Sequence, residues 1–137
     1  MTKEPKDTKN PKDKKTKKKT KKKTKRHPNG GGRVSSTAYA TETAYVGPDA
    51  QVLGQASVSG RARIEDKAIV SGRARISNDA VVRGAAHVYE TAFVGSNACI
   101  EDCAEVFGRA MVAGDVRIIG KAKVGGFCLL SGRLTVY

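Results

Sequence analysis

The chain has 137 residues, 39% hydrophobic and 28% charged, with a net charge of +13, three cysteines and no tryptophan. That length allows one domain with a modest core, and no run of about 18 apolar residues is present to span a bilayer. Met1 leads straight into lysines, so no signal peptide is expected. Cysteines in odd number without C-x-x-C predict a reducing, intracellular setting, cytoplasmic or associated with nucleoid or nucleus.

The first segment, residues 1–32, holds 13 lysines and Arg26 against Glu4, Asp7 and Asp13, a net +11. The remaining 12 basic and 10 acidic side chains leave residues 33–137 at +2, so the basic character belongs to the tail. No Val, Ile, Leu, Phe, Tyr or Trp occurs in 1–32. Such a segment cannot bury enough apolar surface to offset the entropy of ordering it. A helix with Thr16, Thr20 and Thr24 along one face is disfavoured, because like charges four apart repel. Residues 1–33 are therefore expected to be a disordered polylysine tail, closed by the flexible joint Pro28-Asn29-Gly30-Gly31-Gly32.

Lysines in this density suit polyanions: they displace condensed counterions from DNA or RNA and give salt-sensitive, sequence-independent affinity. The residues expected to do this are Lys14, Lys15, Lys17, Lys18, Lys19, Lys21, Lys22, Lys23, Lys25 and Arg26. No aromatic residue is interleaved, so phosphate contact is offered and base stacking is not. A solubilising or localisation role competes with this reading. Acidic lipid competes less well, since lysine without apolar anchors inserts poorly and membrane insertion is not expected.

From Val46 to Val136 every sixth residue is Val, Ile or Leu, sixteen times without exception. Two residues upstream runs a second rail, thirteen alanines from Ala38 to Ala110, then Val116, Ala122, Cys128 and Leu134. Residues two apart share a face in an extended segment and not in a helix. The period is therefore a short strand followed by a turn. Two residues after each aliphatic, the fifteen positions from Pro48 to Gly132 hold nine glycines, with Asp66, Asn78, Glu90, Ser96 and Asp102 among the rest. Gly, Asn and Asp tolerate left-handed backbone angles, as a tight corner requires. Short strands that always turn the same way build a solenoid.

With hexads such as AQVLGQ, ASVSGR and AIVSGR, residues 34–137 resemble the hexapeptide-repeat proteins in their V-x-G-x-A-x variant. The resemblance implies an all-β, single-stranded left-handed parallel β-helix, a triangular prism of about five to six coils of 18 residues. It also implies side-by-side homo-oligomers, commonly trimers.

With coils of 18 residues, outward side chains fall into ladders. One wall carries Tyr39, Ser57, Arg75, Phe93, Met111 and Leu129, whose last three members form a candidate oligomer interface. A second wall places Glu65, Arg83 and Glu101 in a column of alternating sign. The third holds Gln51, Ile69, His87, Glu105 and Lys123, with Tyr89 and Phe107 expected to stack beside them.

Many proteins with this repeat are acyltransferases that take acyl-CoA and use a histidine as general base. His87 is the weak catalytic candidate under that alternative, but it falls mid-strand on a flat wall with no inserted loop to build a cleft. Cys99, Cys103 and Cys128 lack the spacing of a zinc site, and no metal or cofactor is expected. The sequence thus reads as a non-enzymatic structural or adaptor solenoid with a polyanion-binding arm, the alternative being an acyltransferase-like protein, active or degenerate.

Overall fold

The computed structural model describes residues 24–137. They contain no helix and form a parallel β-solenoid of about six turns, built from three sheets of seven, six and six strands. Most strands are two residues long, and the parallel partners lie 18 residues apart in every sheet: Val34 pairs with Val52, Val52 with Val70, and so on to Val124. The expected ladders follow. Phe93 pairs with Met111 and Met111 with Leu129 on the first wall, and His87 with Glu105 on the third.

Both rails point inward. Nearly every alanine and aliphatic from Ala44 to Ile118 is fully buried in one continuous core, each aliphatic contributing roughly 1.5–3 kcal/mol by leaving water. β-Branched Val and Ile suit this pleated interior, while alanine fills the narrow space beside the corners.

The corners obey the expected chemistry closely. Of the fifteen corner positions, nine glycines and the five residues Asp66, Asn78, Glu90, Ser96 and Asp102 have positive φ. Pro48 alone departs, because its ring fixes φ near −65°. Most corners are closed by a turn such as Ala56 N–H donating to Leu53 C=O (3.2 Å), and consecutive corners are stitched by bonds such as Gln55 N–H to Gly72 C=O (2.8 Å). Backbone pairing therefore continues through the bends, which keeps the stack in register.

The N-terminal end corrects one expectation. Residues 24–33 belong to the fold and are not a continuation of the tail. Strand β1 (Thr24–Arg26) lies antiparallel on β2 (Arg33–Ser35), and the segment read as a flexible joint is the turn of this hairpin. No apolar side chain is needed, because polar groups anchor it to the first coil. His27, 5% exposed, is the one buried polar side chain among the described residues. Its Nε2–H donates to Thr41 C=O (2.8 Å), and its Nδ1 accepts from Asn29 N–H (3.1 Å). Asn29 Nδ2 donates to Ala44 C=O (3.0 Å), and Val46 N–H donates to Asn29 C=O (3.0 Å). Gly30 and Gly32 press against the Val46 backbone where a Cβ would collide.

Candidate functional site

The candidate polyanion residues divide at the start of the described fold. Lys14, Lys15, Lys17, Lys18, Lys19, Lys21, Lys22 and Lys23 lie outside the described residues. Lys25 and Arg26 lie on β1, and the pairing register gives them different roles. Lys25 stands opposite the inward residue Val34 and lines a cavity of about 270 Å³ between hairpin and first coil, with His27, Ala38, Tyr39 and Glu42. Arg26 stands opposite Arg33, and both side chains are exposed. Arg26 and Arg33 line a second dent of about 330 Å³ with Pro48, Asp49, Ala50 and Gln51. Arg33 was missed from sequence because it sits outside the lysine run; only the hairpin register brings it beside Arg26.

On the third wall His87 is half-buried and bonded through Nε2 to the Ser71 hydroxyl (3.1 Å). Its other ring nitrogen has no hydrogen-bond partner among the described residues. Burial lowers its pKa below the ordinary histidine value, and the nearby Glu105 only partly opposes this. The ring lies 4.5 Å from the Tyr89 ring, centroid to centroid. Tyr89 stacks on Phe107 as expected (5.3 Å, 12°), and its hydroxyl donates to Glu105 (2.9 Å). Lys123 reaches the same carboxylate at 3.7 Å. A base needs a second group to orient it for catalysis, and His87 has a serine on one nitrogen and nothing on the other.

The first wall gives the candidate interface unequal members. Met111 and Leu129 are 47% and 65% exposed, and Phe127 at the adjoining corner reaches 83%. Phe93 is partly buried, because its ring lies over Gly95. The glycine leaves the space that the ring occupies. Phe127 was not anticipated as part of this patch; it follows Gly126 at a corner, outside the ladder that the sequence displays, and Arg109 covers one of its faces (5.2 Å).

The column of alternating sign on the second wall is paired only in part. Arg83 and Arg117 both bind Glu101 (2.8 and 3.1 Å), whereas Glu65 turns to Arg63 on its own coil. The Cys99 thiol donates to Glu101, and burial with that bond pushes its pKa up to about 12. The same bond, with the two guanidiniums, holds the Glu101 carboxyl below its usual range. Cys99 is thus a weak nucleophile at neutral pH. Cys103 is exposed at a corner, and Cys128 occupies an inward rail position.

Comparison with known protein families, curated proteins and solved structures finds no match. Function must therefore be argued from the residues themselves. Among the described residues no group of three or more His, Cys, Asp or Glu is placed to hold a metal ion, and no helix there is long and apolar enough to cross a membrane.

Proposed function

We propose that this chain is a structural or adaptor solenoid, a hexapeptide-repeat β-helix of left-handed course, whose lysine-rich arm grips nucleic acid or another polyanion without regard to sequence. The observation that carries this reading is the segregation of charge: +11 in residues 1–32 against +2 in the rest. A nearly neutral prism with a dense cationic arm is suited to hold its cargo by phosphate contacts alone.

The test replaces the eight lysines from Lys14 to Lys23 by glutamine and measures affinity for a 20-base-pair duplex by fluorescence anisotropy. Affinity should fall at least a hundredfold while the melting curve of the prism stays in place. Unchanged affinity would overturn the reading.

The exposed Met111, Leu129 and Phe127, with Phe93 at their edge, support self-association, with the trimer as the favoured state. Leu129→Lys should lower the mass found by sedimentation equilibrium. A wild-type mass already equal to one chain would remove this part of the proposal. The Ser71–His87 contact is the one observation on the side of the acyl-CoA alternative, and calorimetry with acetyl-CoA that shows no heat of binding would dispose of it.

A further inference from the structure

The geometry points to a phosphate-binding fork on the folded body, formed by Arg26 and Arg33, that fixes where a polyanion held by the arm meets the prism. This rests on the polyanion reading above and names the one place where the arm's chemistry continues onto described residues.

Three features lead there. First, Arg26 and Arg33 are direct cross-strand partners in the β1–β2 hairpin. Residues so opposed carry Cβ atoms about 5 Å apart, and like charges at that spacing destabilise the pair unless an anion joins them. Second, among the described residues neither guanidinium takes part in an ion pair, although Asp49 lines the same dent. Third, the fork is held in place. Arg26 Nη1 donates to Gly31 C=O (3.1 Å), and the turn that carries Gly31 is locked by His27 and Asn29 to the first coil. A guanidinium oriented before the ligand arrives loses less freedom on binding than a lysine on a flexible arm.

The ligand class is a phosphate oxyanion of a nucleic-acid backbone. Planar guanidiniums present paired N–H donors that match two oxygens of one phosphate. The dent is lined by β1, β2 and the Pro48–Gln51 stretch, and Thr24 of β1, opposite Ser35, is the first described residue after the lysine run. A phosphate seated between Arg26 and Arg33 therefore sits on the hairpin that directly follows the lysine run in sequence. Asp49 opposes the fork and weakens it, which gives the proposal a test of opposite sign.

The experiment uses the full chain. Inorganic pyrophosphate is titrated while backbone and arginine Nε–H resonances are followed by NMR, and duplex affinity is measured as a function of salt. Pyrophosphate should shift the Gly31 and Arg33 amides and both Nε–H signals, and Arg33→Gln should abolish those shifts while the rest of the spectrum is unmoved. Arg33→Gln should weaken duplex binding roughly tenfold and lower the salt slope by about one. Asp49→Asn should tighten it severalfold. If Arg26→Gln and Arg33→Gln both fold and bind duplex with wild-type affinity and slope, or if Asp49→Asn weakens binding, the fork is wrong even where the arm still binds. If pyrophosphate shifts the fork but the duplex does not bind at all, the fork stands and the nucleic-acid reading falls.

Discussion

The repetitive body and the N-terminal hairpin are joined in one sheet, yet they are held by different forces. The body is stabilised by two apolar rails that are fully buried over most of their length. The hairpin buries no large apolar side chain of its own before Val34; backbone bonds to β2 and Val46 hold it, joined by one imidazole and one carboxamide that bond to the Thr41 and Ala44 carbonyls. A parallel solenoid presents unpaired backbone groups at its first coil, and an antiparallel strand with a polar plug satisfies them. The contrast teaches that a segment without apolar residues can be ordered when its partners are orphaned backbone groups.

The largest effect should come from breaking the body. Ile64→Asp places an unpaired charge in a fully buried rail position and should abolish the cooperative urea transition, while Ile64→Ala should cost about 2–5 kcal/mol. Corners come next. A Cβ on Gly84 would stand 2.9 Å from the Asp102 amide nitrogen, whereas one on Gly126 meets nothing within 4 Å, and both have positive φ. Gly126→Ala should cost about 1–2 kcal/mol from backbone strain alone, and Gly84→Ala clearly more; equal losses by urea titration would show that the stacked corners do not constrain each other.

Third, His27→Ala should cost about 1–3 kcal/mol, confined to the cap. Hydrogen exchange should quicken at Arg33 and Val46 and stay slow at Val88; uniform quickening would mean that cap and body unfold together. The smallest effect concerns pH. The Glu101 carboxyl is held below its usual range by Cys99, Arg83 and Arg117. Its contribution is therefore present above the ordinary carboxylate pKa and lost as pH falls through the lowered value. It amounts to about 1 kcal/mol or less near the surface. Glu101→Gln should flatten the acid limb of the stability curve, and an unchanged limb would place the titrating group elsewhere.

The rails, the corners and the 18-residue ladders were legible because each is a repeated demand: Val88, its neighbours Val70 and Val106, and Gly84 before it recur at a fixed period. The hairpin was not legible, because His27 and Asn29 act once, through backbone carbonyls of Thr41 and Ala44 whose positions only the folded coil sets. The same holds for the candidate site. The lysine run suggests by composition the polyanion role proposed for it, but Arg33 enters that proposal only through its register with Arg26. Phe93 looked exposed from its ladder position, and a contact with Gly95 two residues away folds it down instead.

The central claim is that the arm holds a polyanion by phosphate contacts while the prism supplies a rigid, nearly neutral body. The direct measurement is the salt dependence of duplex affinity of the full chain, for two unrelated sequences. Contacts to six or more phosphates predict a loss of about a thousandfold or more between 50 and 200 mM salt, equal for both sequences. Affinity that is flat with salt, or that separates the two sequences by more than a few-fold, would contradict the account.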